Sequence, residues 1–202
     1  TLENGLACAR YLNLCHRHAD LVKIACRSNM SNSYCSGIIQ TNNRALYCTP
    51  AYYVSKLYAE HGGAQPLELG NPLPLLDLDV SANLSADGKT LSLIAVNSQA
   101  KPVTKTINVT ALGRIEPTAE VWTIADADDA RDREATNTFQ RPDRIAARGK
   151  TWDGAGQKPS YVFPACSVTL IEWRLATPAV LNRVPRPAIN RGLSVRGRPS
   201  FP

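Results

Sequence analysis

The spacing of apolar residues divides the chain into three parts, and the first part has a helical pattern. Its apolar and aromatic positions recur at steps of three and four residues: Ala7, Tyr11, Leu14, His18, Leu21 and Ala25. Positions with that period lie along one face of a helix, so the pattern predicts an amphipathic helix over residues 1–26. We expect this apolar stripe to lie against polypeptide that the sequence does not include.

A short strand and a second helix are predicted to follow. Residues 33–40 form a largely apolar run entered through polar residues, which is typical of a short buried strand. Thr49 and Pro50 predict a helix start, because Thr is a good N-cap and Pro suits the first helical position. Gly62 and Gly63 predict its end. The order helix, strand, loop, helix indicates one and a half units of an α/β layer or barrel.

The second part, from about residue 72 to residue 175, has the alternation of short β-strands. The predicted strands cover residues 76–80, 91–95, 103–109, 120–124, 161–163 and 167–173. Asp87 and Gly88 stand between two of these runs and predict a hairpin turn. Short strands at this spacing favour a β-sandwich. Residues 125–160 contain few apolar positions and are predicted to be a long loop.

The third part, residues 176–202, is rich in Pro and Arg, has no periodicity, and is expected to be extended or disordered. The chain of 202 residues has a net charge of +6, from 23 basic and 17 acidic residues. Five arginines follow residue 176, and without them the chain has 18 basic and 17 acidic residues. The basic charge therefore belongs to the tail, and we expect no nucleic-acid binding by the fold. No apolar stretch reaches the length of a membrane span, so no membrane partner is expected.

Four segments in order resemble one enzyme family. Residues 2–25 and 46–61 (LYCTPAYYVSKLYAEH) resemble the last two barrel helices of family-51 glycoside hydrolases, the α-L-arabinofuranosidases. Residues 37–41 resemble the eighth barrel strand of that family. Residues 137–143 (NTFQRPD) with residues 163–175 resemble the end of its closing β-sandwich.

The resemblance implies an α/β part followed by an all-β part. Residues 1–70 would be the last helix, strand and helix of a (β/α)₈ TIM barrel, and residues 71–175 a C-terminal β-sandwich. Residues 176–202 would be an Arg- and Pro-rich tail outside the family pattern.

The resemblance also implies a reaction. Such enzymes hydrolyse terminal α-L-arabinofuranosyl groups of arabinoxylan, arabinan and their oligosaccharides with retention, using a Glu acid/base and a Glu nucleophile about 5 Å apart. In the family both Glu residues lie on barrel strands that precede the helix opening this chain. We therefore assign no catalytic residue and expect the N-terminal part of the same enzyme, as a separate chain, to supply them. No cofactor or metal is implied. The alternative is a non-catalytic β-sandwich that binds carbohydrate or has a structural role.

Candidate substrate-binding residues follow from the barrel resemblance. Active sites of barrels lie at the C-terminal ends of the strands, which here means Gln40, Thr41, Asn42, Cys48 and Thr49. Many relatives carry a sugar-contacting Gln near position 48, where this chain has Cys. The amides of Gln40 and Asn42 can donate to and accept from sugar hydroxyls. A strand end, a loop turn and a helix cap are the structural alternatives for these positions.

Three other groups of residues have both a functional and a structural interpretation. Four acidic residues could hold Ca²⁺ or form a solvated acidic loop, which we favour: Asp126, Asp128, Asp129 and Asp132. Three tryptophans could form a sugar-stacking platform or belong to the core, which we favour: Trp122, Trp152 and Trp173. The six cysteines lack the spacing of a zinc or redox site and are expected to be small buried hydrophobes. A reducing cytoplasm and a secreted enzyme both remain open, as does an oligomer.

Overall fold

A computed structural model describes residues 1–33, 37–69, 78–128 and 131–179. Two helices are present in this part of the chain: α1 (Leu2–Arg17) and α2 (Pro50–His61). The strands in chain order are β1 (Ile39–Thr41), β2 (Leu46–Cys48), β3 (Gln65–Pro66), β4 (Asp79–Leu84), β5 (Thr90–Asn97), β6 (Val103–Thr106), β7 (Ile115–Asp126), β8 (Ile145–Trp152), β9 (Ser160–Phe163) and β10 (Ser167–Leu175).

A six-stranded antiparallel sheet is the centre of the fold. Its strand order is β3-β4-β5-β10-β7-β8, and β6 and β9 form a separate antiparallel pair. The pair covers one face of the large sheet, where Phe163 of β9 packs with Trp173 of β10. The two helices cover the other face, where Leu6 of α1 and Val54 of α2 pack with Leu170. The result is three layers with two apolar cores, one on each side of the large sheet.

Burial on both faces explains the composition of the central strands. Every residue of β4 is buried, and in β5 only Thr90 is not. A strand that alternates between two cores needs apolar side chains on both faces, so β5 has the nearly continuous run LSLIAV. The predicted β-sandwich is thus present as a sheet covered on one face by a two-stranded sheet. The helices belong to the same packed unit as the sheet.

The apolar stripe predicted on the first helix is not the face that packs on this chain's own sheet. Tyr11 and Leu14 of the expected stripe are 61% and 46% exposed, while Leu6 and Ala9 are almost fully buried. The face that contacts the sheet also contains Asn13, which is fully buried. A search for apolar periodicity passes over this face because a polar residue lies at its centre. The helix also ends at Arg17, well before residue 26, and the remaining stripe residues His18, Leu21 and Ala25 are exposed beyond its end.

The predicted strand at residues 33–40 is also different in the structure. It is reduced to β1, which pairs with β2 as an antiparallel hairpin, and residues 34–36 lie outside the described residues. All ladders between described strands are antiparallel. The parallel sheet of a TIM barrel is therefore not in the described part of this chain.

The prediction of a hairpin at Asp87 and Gly88 is confirmed. Strands β4 and β5 pair across this turn, and Gly88 has a φ of 70°, which glycine adopts without strain. The predicted loop over residues 125–160 is wrong in part, because it contains the eight-residue strand β8. β8 lies at the edge of the sheet and four of its residues are exposed, so it lacks an apolar pattern. Residues 76–77 and 180–202 lie outside the described residues.

A buried polar network attaches α1 to β4. The Asn13 amide nitrogen donates to Asp79 Oδ1 at 2.8 Å, and its Oδ1 accepts from Tyr58 Oη and Ser81 Oγ, each at 2.7 Å. Arg17 donates to both carboxylate oxygens of Asp79 at 2.8 and 3.2 Å. These bonds fix the helix on the sheet in one register. Neither described helix combines the length and the apolar composition that crossing a membrane requires.

Candidate functional site

The predicted site residues lie together on the β1–β2 hairpin and at the start of α2. The Gln40 amide nitrogen donates to the Gly37 carbonyl at 2.9 Å. Thr41 is joined to Asn32 twice: its backbone N–H donates to Asn32 Oδ1 at 2.7 Å, and its Oγ1 accepts from Asn32 Nδ2 at 2.6 Å. Asn42 Oδ1 accepts from the backbone N–H groups of residues 44 and 45, both at 2.8 Å, which is turn chemistry.

The base of the hairpin is held by the sheet and by helix α2. Thr49 is the N-cap residue of α2 as predicted, but its side chain makes no capping bond; its N–H donates to Ile38 O at 2.8 Å. Asn137, which is fully buried, donates from Nδ2 to Cys48 O and to Ile145 O, both at 2.8 Å. It also accepts from the Ile145 N–H at 2.8 Å. The loop before β8 thus sets the position of β2.

The Cys48 thiol and the Tyr53 phenol beside the hairpin have raised pKa values and are protonated at neutral pH. Burial, and then the negative charge of Asp143, raise the pKa of the Cys48 thiol, so the residue is not a thiolate nucleophile. The same two causes and a hydrogen bond to Asp143 raise the pKa of Tyr53 to about 12. Tyr53 Oη donates to Asp143 Oδ1 at 3.2 Å. The hairpin, residues 37–49, contains no Asp or Glu. Its amides and hydroxyls can bind sugar hydroxyls, but they cannot perform acid/base chemistry on a glycosidic bond.

Comparison with known proteins decides the family. The family model described as the α-L-arabinofuranosidase C-terminal domain matches residues 1–167. The chain belongs to this family. It corresponds to a C-terminal portion of family-51 glycoside hydrolases, as the sequence resemblance predicted. No curated protein sequence matches the chain.

Solved structures of family-51 arabinofuranosidases have the same fold. The arabinose complex of the enzyme from Thermotoga maritima is 24% identical, with a TM-score of 0.74, over 86% of this chain and 38% of that chain. The enzyme from Thermotoga petrophila is 25% identical, with a TM-score of 0.68, over 83% of this chain and 37% of that one. The arabinose-bound MgGH51 enzyme is 18% identical, with a TM-score of 0.77, over 86% of this chain and 28% of that chain. The chain thus spans between about a quarter and two fifths of the length of these relatives.

The aspartates considered above as a possible Ca²⁺ site surround the side chain of Arg144. Arg144 Nη2 lies 2.6 Å from Asp126 Oδ2 and 2.9 Å from Asp132 Oδ2, and its Nε lies 3.7 Å from Asp128 Oδ2. The guanidinium occupies the position between carboxylates that a cation would take. No group of side chains in the described residues is arranged to hold a metal ion, and Asp129 lies outside them.

The tryptophans and cysteines have mainly structural positions. Trp173 is fully buried in the core, and the ring of Trp152 packs at an angle against it, with the centroids 6.4 Å apart. Trp122 lies against the His61 ring, with the centroids 4.2 Å apart. No flat tryptophan platform for a sugar is formed. None of the five described cysteines forms a disulfide; Cys15 and Cys166 are buried as expected, whereas Cys26 is exposed.

The sequence-based search missed a polar groove of about 550 Å³ beside the C-terminal end of α2. It crosses the helix-covered face of the sheet, where Ser92, Glu172 and Glu120 are paired across β5, β10 and β7. Glu172 Oε1 lies 3.3 Å from both His61 Nδ1 and Ser92 Oγ. The alternation of β-strands could have placed these polar residues on one face, but their neighbours depend on the strand order, which the sequence does not show.

Proposed function

We propose that this chain is the C-terminal part of a retaining α-L-arabinofuranosidase that acts on arabinoxylan and arabinan oligosaccharides. The match of the family model to residues 1–167 carries the proposal. In it, an N-terminal polypeptide supplies the TIM barrel and the catalytic Glu pair, the helical end of this chain (residues 1–70) lies against that barrel, and residues 71–175 form the closing sandwich. The β1–β2 hairpin then contributes Gln40, Thr41 and Asn42 to the sugar site.

The distribution of exposed apolar side chains supports a partner for the helical end of the fold. Tyr11 and Leu14 lie on the outer face of α1, and Leu46 on β2 is 58% exposed. Leu21 and Ile24, just beyond α1, are 76% and 79% exposed. A concentration of large apolar residues on one part of a surface is typical of a protein interface. The N-terminal barrel polypeptide is the partner that the proposal assigns to it.

The positions of the carboxylates in the first part of the chain support an external source for the catalytic pair. Glu3 forms an ion pair with Arg133, and Glu60 lies 3.8 Å from Lys56 on the same helix. Glu68 is exposed beyond β3. None of these carboxylates lies on the hairpin that carries the candidate sugar-binding residues. We therefore expect the chain alone to be inactive.

A chimeric enzyme tests the proposal. Residues 1–179 would replace the structurally equivalent C-terminal portion of the Thermotoga maritima enzyme, and hydrolysis of an aryl α-L-arabinofuranoside would be measured. The controls are the Thermotoga maritima enzyme truncated before that portion and the 202-residue chain alone. We expect a folded chimera with activity and no activity from either control. Retention is then checked by nuclear magnetic resonance of the first-formed arabinose anomer.

Substitutions in the hairpin test its part in sugar binding. In the chimera, Gln40→Ala should raise KM more than the control Arg44→Ala, because Gln40 lies on the strand and Arg44 at the turn. Activity of the isolated chain would contradict the external origin of the carboxylates. A folded chimera that neither hydrolyses nor binds arabinofuranosides would contradict the assigned substrate. Binding of arabinan by the isolated chain without any catalysis in the chimera would favour the carbohydrate-binding alternative.

A further inference from the structure

The polar groove beside α2 carries an excess of negative charge. Its charged lining comprises five carboxylates, Glu60, Asp87, Glu116, Glu120 and Glu172, and two basic side chains, Lys89 and Arg174. Counting the Asp, Glu, Lys and Arg side chains alone, five negative and two positive charges give a formal net charge of −3. Glu60, Glu116 and Glu120 are exposed, so their charges face solvent in the open groove.

Several of these carboxylates lie close together because the sheet register places them there. Glu172 of β10 lies directly opposite Glu120 of β7. Side chains at directly opposite positions of an antiparallel pair are about 5 Å apart at Cβ, and like charges at that separation repel. Ser92 and His61 contact Glu172 Oε1, and Thr151 donates to Glu120 Oε1. A cationic group in the groove would reduce this repulsion.

The described chain ends at a turn that borders this groove. The last described residue, Ala179, donates its N–H to Gly88 O at 2.9 Å, at the turn between β4 and β5, and its side chain packs against the core on the β6–β9 side of the sheet. Asp87 and Lys89 on either side of that glycine line the groove. Residues 180–202 contain five arginines and no Lys, Asp or Glu, so their charge is opposite to that of the groove. Arg183 follows Ala179 by four residues and can lie at most about 14 Å from it.

We propose that residues 180–202 dock along this acidic groove of the same chain, with tail arginines paired to Glu116, Glu120 and Glu60. The groove and the tail carry opposite charges, the tail starts beside the turn that borders the groove, and 23 residues are long enough to pass around the sheet end and along the groove. Arginine suits this role because its guanidinium can donate two parallel bonds to one carboxylate. Attachment to the same chain gives the tail an effective concentration on the order of millimolar, so weak individual pairs suffice. The docking is independent of any catalytic role of the chain.

Limited proteolysis of the full 202-residue chain tests the proposal. Trypsin can cut the tail after Arg183, Arg191 and Arg196, whereas the other two tail arginines precede proline. Mass spectrometry would follow these cleavages at about 20 mM and about 500 mM salt, because added salt screens exposed ion pairs. The test variant is Glu116→Gln/Glu120→Gln, which retains shape and hydrogen-bonding capacity. The matched control is Glu68→Gln/Glu134→Gln, which removes the same charge from exposed positions outside the groove.

We expect slow tail cleavage at low salt in the native chain and the control variant. The groove variant should be cut about three to ten times faster at low salt, and high salt should bring all three chains to the same rate. Equal rates in all three chains at low salt would overturn the proposal. Protection that increases with protein concentration would also overturn it, because the tail would then occupy the groove of a second copy.

Discussion

Replacement of the buried Asn13 tests whether the polar network holds α1 on the sheet. Asn13→Ala removes a donor to Asp79 and an acceptor from the Tyr58 and Ser81 hydroxyls. Asp79 keeps its two bonds from Arg17, Tyr58 Oη keeps the Ala9 carbonyl at 2.9 Å, and Ser81 Oγ keeps His16 Nδ1 at 3.3 Å. The main loss is therefore that of the three shortest Asn13 hydrogen bonds, and each of the three partner groups keeps another partner.

The expected cost follows from these bonds. At about 1 kcal/mol for each hydrogen bond, Asn13→Ala should lower the free energy of unfolding by about 3 kcal/mol. With a denaturant slope of about 2 kcal/mol per M, the urea midpoint should fall by about 1.5 M. Trp173 and Trp122 lie in or beside the two cores, so tryptophan fluorescence reports the unfolding.

The matched control is Asn4→Ala, because Asn4 is an exposed asparagine on the same helix. It should change the free energy of unfolding by less than about 0.5 kcal/mol. Tyr58→Phe should cost about 1 kcal/mol in the native background and less in Asn13→Ala, since one of the hydroxyl's two acceptors is already lost. Equal urea midpoints for Asn13→Ala and Asn4→Ala would refute the reasoning that this network stabilises the fold.

Three further predictions concern stability. Burial lowers the pKa of His16 from its ordinary value of 6.5, so the unfolded chain binds a proton at a higher pH than the folded chain does. The free energy of unfolding should therefore fall as the pH drops below about 6.5, until the pKa of the folded state is reached. Equilibrium unfolding between pH 5 and 8 checks this: His16→Gln should flatten the dependence, and a change of similar size in His18→Gln would contradict it. Arg144→Gln should lower the thermal midpoint more than Arg141→Gln, because Arg144 pairs with a fully buried carboxylate and Arg141 with a half-exposed one; calorimetry giving equal shifts would oppose this. Leu170→Ala in the helix-side core should cost about 2–5 kcal/mol in urea unfolding, and a cost below about 1 kcal/mol would show that the core refills the space.

The sequence predicted the elements whose own residues determine them. The turn at Gly88 needs a positive φ, and Pro50 starts α2 where its missing N–H costs nothing. β10 was predicted because both of its faces are apolar. The elements that were missed depend on their neighbours: β8 is an edge strand that becomes ordered by pairing with β7, and no pattern in its residues shows this.

Helix α1 has a second, buried face that the apolar pattern did not reveal. Two apolar stripes compete on this helix, and the more continuous one, with Tyr11 and Leu14, is exposed. The buried face contains Gly5, whose missing side chain allows close approach to Pro50: an added Cβ would lie 3.1 Å from Pro50 Cβ. Small and polar residues at a tight helix contact lower the apparent hydrophobicity of the face that is in fact buried. The chain thus has apolar residues on two sides of one helix.

The sequence could group the candidate sugar-binding residues together but could not show what holds them in place. Gln40 and Asn42 were placed together because they are close in the chain, and any hairpin or strand end would bring them together. What fixes the base of the hairpin is Asn137, 89 residues after Cys48, whose amide joins the Cys48 carbonyl to both backbone groups of Ile145. A buried asparagine that satisfies three backbone groups of two segments leaves little freedom to either segment. The loop before β8 therefore positions the hairpin, through contacts between residues that are far apart in the sequence.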